Sequence, residues 1–133
     1  MNYYIGIDLG GTNIKAGVVN ENFEIVGKAK TKTLCPRPAK EIADDMAKVS
    51  IDACKDAGIS IDDVQWIGIG TPGIADNTNG TIPYSNNLDF KDVPIRKYIQ
   101  DHDGHIRYHR ISSGNKLKEA ICQNQNRNQT TIL

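Results

Sequence analysis

The chain has 133 residues, the length of one ordinary domain and not two. Lys and Arg balance Asp and Glu at sixteen each, which excludes a basic nucleic-acid face, where phosphate binding needs excess cation, and argues against a charged membrane-surface role. No apolar run approaches the ~18–20 residues that span a bilayer, the start Met1-Asn2-Tyr3-Tyr4 lacks signal-peptide character, and three scattered cysteines (Cys35, Cys54, Cys122) form neither a disulfide framework nor a zinc knuckle, so a reducing cytoplasmic setting is expected.

From Tyr3 onward Ile5, Ile7 and Leu9 fall on one face and Tyr4, Gly6 and Asp8 on the other, the period of a strand. Gly10-Gly11-Thr12 breaks the alternation, and Ile14, Ala16 and Val18 restore it, so residues 3–20 read as a β-hairpin. After a turn at Asn20-Glu21-Asn22, residues 23–33 read as a third strand nearer an edge. Pro36 and Pro38 set up a helix start. Ile42, Met46, Val49, Ala53 and Ala57 then mark one face of an amphipathic helix of about five turns, ended by Gly58 as a left-handed cap. Residues 64–70 read as a fourth strand, with Trp66, Ile67 and Ile69 as buried positions. A loop rich in Gly, Pro and Asn follows to Asn87, then a short helix over 94–100 with Ile95, Tyr98 and Ile99 as its apolar face. The order βββαβ followed by a short helix predicts an α/β layer with a mixed sheet. Composition changes near Asp101. The 123–129 stretch is almost entirely amide and arginine, too poor in apolar surface to offset the entropy of ordering. The expected organisation is a folded unit over 1–100 and an atypical or poorly ordered tail over 101–133.

Three stretches carry candidate chemistry. In Asp8-Leu9-Gly10-Gly11-Thr12-Asn13-Ile14-Lys15, a carboxylate ends a strand and two glycines turn the chain. Glycines can take positive φ and lack a Cβ, so a phosphate can approach the turn's N–H groups. Thr12 adds a hydroxyl, Lys15 a cation, and Asp8 is placed to hold a hydrated Mg²⁺. A structural alternative is a Gly-Gly turn capped by an acid. Gly68-Ile69-Gly70-Thr71-Pro72-Gly73 matches G-x-G-x-x-G, but Pro72-Gly73 and the Asn-rich stretch oppose the helix that a dinucleotide fingerprint must open. A strand end that lets backbone approach a small ligand, or a plain tight turn, fits better. Tyr84-Ser85-Asn86-Asn87-Leu88 offers amides and hydroxyls suited to vicinal sugar hydroxyls, or simply an Asn-rich turn. His102, His105 and His109 have helical spacing, but Gly104 interrupts and no further ligand completes a metal site. There is no P-loop, G-x-S-x-G or H-E-x-x-H motif.

Together, in this order, the three stretches resemble the ROK family (repressors, uncharacterised frames and sugar kinases) of the actin-like ATPase superfamily, with its ribonuclease H-like fold. Residues 5–17 look like that family's phosphate-binding hairpin, 68–73 like its second Gly-rich loop, and Asn86-Asn87-Leu88 with Asp92-Val93-Pro94 like its sugar-side loop. The resemblance covers about residues 2–100 and is nearest to the bacterial glucokinase branch. It implies ATP-dependent phosphorylation of a hexose, glucose at O6 in the first instance. It also implies that Asp8 lies beside Mg²⁺ through water, that Gly10, Gly11 and Thr12 contact phosphate with Lys15 near, and that Gly73, Ile74 and Asn86 face the sugar. The family's general base sits in a Glu-Asn-Asp-Ala-Asn stretch, whereas residues 105–115 contain no Asn-Asp. The family's zinc motif, its sugar-binding Glu–His pair and its second domain have no counterpart either. The chain is thus expected to be a partial lobe, truncated or frame-shifted after about Gln100 and inactive alone. An isolated lobe would expose an apolar face, so aggregation or homo-oligomers are expected. The competing expectation is a non-catalytic sugar-binding or regulatory module of the same family. An iron–sulfur dehydratase activator would need grouped cysteines.

Overall fold

The computed structural model describes residues 2–76, 78–86, 88–102 and 108–113. Two sheets and two helices are built in the order β1 (Tyr3–Leu9), β2 (Asn13–Val19), β3 (Ile25–Lys32), α1 (Ala39–Ala57), β4 (Val64–Thr71), β5 (Ile74–Asp76), β6 (Thr81–Ser85), β7 (Phe90–Val93), α2 (Ile95–His102) and β8 (Tyr108–Ser113). The larger sheet runs β3-β2-β1-β4-β8. Its β1–β2 and β2–β3 pairs are antiparallel, and its β1–β4 and β4–β8 pairs are parallel.

The alternation at the start of the chain becomes the two faces of this sheet. Ile5, Ile7, Leu9, Ile14, Ala16, Val18, Ile67 and Ile69 are buried, in one cluster with Ile42, Met46 and Ala53 of α1 and Ile95 and Ile99 of α2. Burial of each large aliphatic side chain stabilises by roughly 1.5–3 kcal/mol relative to exposure. Pro38 is the N-cap of α1, and Gly58 ends it with φ 74°, its N–H donating to the Lys55 and Cys54 carbonyls, as the expected left-handed cap requires. No helix among the described residues is long and apolar enough to cross a membrane.

The structure departs from the sequence reading in four places. First, β3 begins at Ile25 and not at residue 23. Asn20 closes the β2–β3 turn instead: its Oδ1 accepts from the Asn22 and Glu24 N–H groups at 2.9 and 3.1 Å. Phe23 sits in that turn with φ 61° and is exposed. Second, Trp66 is not buried. It lies on the face away from α1, where its ring meets that of its register partner Tyr4 at a centroid distance of 4.9 Å. Third, the stretch read as a loop to Asn87 contains two short strands, β5 and β6, which form a small antiparallel sheet with β7. Turn residues dominate its composition because the strands are short. Asp76 closes the β5–β6 turn by accepting from the Thr78 and Asn79 N–H groups and the Asn79 side-chain amide. Those bonds, the side-chain one foremost, hold the Asp76 carboxyl below its ordinary range. Pro83 is tolerated between the Ile82–Val93 and Tyr84–Lys91 pairs, and Asp92, between its partners on β7, takes φ 49°. Fourth, Tyr108–Ser113 forms an edge strand beside β4, within the segment expected as a tail. Residues 103–107 and 114–133 lie outside the described residues, and with them His105 of the three-histidine reading.

Candidate functional site

The site is set by chain direction. From β1 the chain leaves to one side for β2 and β3, crosses by α1, and returns to the other side as β4. The carboxyl ends of two parallel neighbours, with connections diverging in opposite directions, are where open α/β sheets place their ligands. Asp8 is the penultimate residue of β1 and Gly70 of β4, and the two are register partners. On the other side Asp8 is paired with Lys15 of β2. Asp8 and Lys15 are both half-buried on the face away from α1. Among the described residues no hydrogen bond or ion pair engages the Asp8 carboxylate.

The β1–β2 connection closes at Gly10, whose N–H donates to the Asn13 carbonyl at 2.9 Å. A Cβ on Gly10 would stand 2.9 Å from that oxygen, so the position excludes side chains. None of Gly10, Gly11 and Thr12 takes the positive φ expected of the paired glycines; close approach is what the turn needs. Gly11 and Thr12 form the exposed tip, and their N–H groups take no partner among the described residues. Behind the tip stands the β3–α1 connection. Fully buried Thr33 donates its hydroxyl to the Gly10 carbonyl at 2.6 Å and its N–H to the Thr12 carbonyl at 2.9 Å. The Cys35 thiol donates to the Gly11 carbonyl at 3.0 Å. Arg37 in turn donates from Nε to the Thr33 carbonyl at 2.7 Å and pairs with Asp45 of α1.

The second Gly-rich stretch divides. Gly68 and Gly70 lie within β4, and only Pro72-Gly73 forms the connection to β5. Gly73 has φ 92°, and a Cβ there would stand 2.3 Å from the Tyr84 carbonyl and 2.9 Å from Ser85 Cα. Its small size therefore serves chain packing against β6 as well as any ligand. Ile74 pairs with Tyr84 across β5 and β6, both side chains exposed. Exposed Asn86 follows at the end of β6, its Oδ1 accepting from the Tyr84 hydroxyl at 3.4 Å. Gly73, Ile74 and Asn86 are thus gathered on one small sheet, whereas Asp8, Gly10, Gly11, Thr12 and Lys15 belong to one hairpin of the large sheet. Sequence reasoning missed Thr33, Cys35 and Arg37, and took Tyr84 only as part of the 84–88 stretch. The first three act through contacts more than twenty residues away or through a helix side chain, which no local motif signals. Buried Ser85, whose hydroxyl has no partner among the described residues, was noticed only as part of an Asn-rich stretch.

No group of three or more metal-ligating side chains occurs among the described residues. A single strand-end carboxylate beside exposed amides suits Mg²⁺, which takes one or two protein carboxylates and completes its shell with water and phosphate oxygens.

A model of the ROK family matches residues 4–132. The chain belongs to the ROK family. The glucokinase of Thermotoga maritima is 29% identical over 101 residues, which are 75% of this chain and 30% of that enzyme. Among solved structures, a ROK family glucokinase from Streptomyces griseus in complex with glucose and AMPPNP superposes with a TM-score of 0.71 at 30% identity, covering 84% of this chain and 33% of that one. The ROK hexokinase of Thermus thermophilus gives 0.70 at 28% identity, over 84% and 35%. The chain therefore spans about a third of the length of the ROK relatives it matches. Its fold is that of the ROK actin-like ATPase sugar kinases, an α/β lobe with a mixed sheet, as the hairpin motif implied.

Proposed function

We propose that this chain is the phosphate- and hexose-binding lobe of an ATP-dependent sugar kinase of the glucokinase type. The observation that carries the reading is the exposed Gly11–Thr12 tip beside the Asp8 carboxylate, which has no partner among the described residues, at the carboxyl ends of β1 and β4. Backbone N–H groups that are already ordered stabilise phosphoryl oxygens without reorganising, and phosphoryl transfer depends mainly on positioning and charge neutralisation. In this reading Gly11 and Thr12 bind the phosphates of ATP, and Gly10 allows the chain to turn there. Lys15 adds positive charge. Asp8 would hold Mg²⁺ through water, and the ion supplies neutralisation of phosphate charge when bound. Gly73, Ile74 and Asn86 would meet the sugar, the Asn86 amide both donating to and accepting from its hydroxyls. The likeness to glucokinases makes glucose the first hexose to test and cytoplasm the expected setting.

Residues 105–115 lack the Asn-Asp that carries the family's base. Loss of general-base assistance alone removes roughly 10²–10⁴-fold in rate, so the chain alone is expected to bind without turnover. Calorimetry with Mg²⁺-AMPPNP and with glucose, beside a coupled ADP-release assay, tests this. Expected are nucleotide binding that weakens on Asp8→Asn only when Mg²⁺ is present, and no ADP release above background. Glucose binding with no nucleotide binding at all would replace the reading by the family's non-catalytic, regulatory alternative.

A further inference from the structure

The hairpin tip is held from behind at three successive carbonyls. Thr33 Oγ1 holds that of Gly10, Cys35 Sγ that of Gly11, and the Thr33 N–H that of Thr12. In a trans peptide the C=O and the following N–H point in opposite directions within one rigid plane. A carbonyl fixed toward the β3–α1 connection therefore turns the next amide away from it. Gly10 C=O governs the Gly11 N–H, and Gly11 C=O governs the Thr12 N–H. These two amides are exposed and belong to the proposed phosphate cradle.

We infer that Thr33 and Cys35 are positioning residues for phosphate binding, setting the direction of the Gly11 and Thr12 amides without touching the ligand. The inference rests on the phosphate-binding reading of the loop. Without such a clamp, a tip of two residues, one of them glycine, would sample peptide orientations in which those N–H groups face elsewhere, and each binding event would have to restrict them again. The clamp is itself anchored. Thr33 is fully buried, its carbonyl is taken by Arg37, and Arg37 is paired with Asp45 on α1. The helix that closes the core thereby fixes the back of the loop.

The test uses the ¹⁵N-labelled 133-residue chain, inorganic tripolyphosphate with Mg²⁺ as probe, and the Gly11 and Thr12 amide resonances as readout. Thr33→Val keeps shape and loses the hydroxyl donor, whereas Thr33→Ser keeps it. Cys35→Ala and Cys35→Ser form the same contrast at a less buried position. Thr33→Val is expected to weaken tripolyphosphate binding about tenfold, equivalent to ~1.4 kcal/mol, with Thr33→Ser within about twofold of the parent. A smaller loss is expected for Cys35→Ala, restored by Cys35→Ser. If Thr33→Val does not give a folded spectrum, the Cys35 pair decides. Parent-like binding by the valine and alanine variants overturns the inference and leaves the phosphate reading intact. So does a loss in the serine variants equal to that in their partners, which would assign the positions to packing. A parent chain whose Gly11 and Thr12 resonances do not respond to tripolyphosphate overturns both.

Discussion

Single residues on this lobe matter through what they exclude as much as through what they bind. Gly10 is required because a Cβ would collide with the Asn13 carbonyl. Cys54 is a buried thiol on the core face of α1, and burial, helped by the charge of Asp63, raises its pKa from 9.0 to about 11. Unfolding would release that thiol to water, where it ionises near its ordinary value. Between those two pH values the unfolded chain binds fewer protons than the folded one, so stability is fully present below pH 9.0 and declines as pH rises toward about 11. Urea midpoints for the parent and Cys54→Ala across that window should show the steeper decline in the parent. Parallel curves would mean that the thiol is not shielded.

At the level of elements, α1 lies close to the sheet because β3 lets it. An added Cβ at Gly27 would stand 2.4 Å from the Ala53 carbonyl, 2.6 Å from the Ala57 nitrogen and 2.7 Å from the Ala57 Cβ. Lys28 beside it donates its N–H to the Asp56 carboxylate at 2.9 Å, which ties strand and helix further. Backbone cannot retreat as a flexible side chain end can. Gly27→Ala should therefore destabilise by ~1–3 kcal/mol, the range for overpacking, read as a lower denaturation midpoint with an unchanged m-value. A neutral outcome would show that α1 shifts freely on β3.

For the whole molecule, the two sides of the large sheet differ. One is covered by α1 and α2. On the other, among the described residues, a Cβ at Gly6 would meet no heavy atom within 4 Å, and the Tyr4 and Trp66 rings meet at a tilt of 46°, with Trp66 38% exposed. Ile74 and Tyr84 add an exposed apolar pair on the small sheet. Such surface favours association. Size-exclusion chromatography with light scattering should find the chain's mean mass rising with concentration, and Trp66→Gln should reduce the rise. A monomer mass independent of concentration would count against exposure of this face.

Read alone, the sequence determined the strand periods of residues 3–20, the glycine turn that joins β1 to β2, and the length and both ends of α1. These depend on neighbours along the chain: alternation, helical spacing, a capping glycine and a short motif. It did not reveal the β5-β6-β7 sheet, because strands of three to five residues carrying Pro83 and closed by Asp76 have the composition of a loop. Nor did it place Trp66 in the open, since burial on a strand depends on whether anything covers that face. Thr33 and Cys35 were equally silent, for their partners at Gly10, Gly11 and Thr12 lie more than twenty residues back. Only the tertiary structure, by laying the end of β3 against the end of β1, decided which way the peptides of the hairpin face. Peptide direction is fixed by what holds the carbonyl, and that partner is chosen in space rather than along the chain.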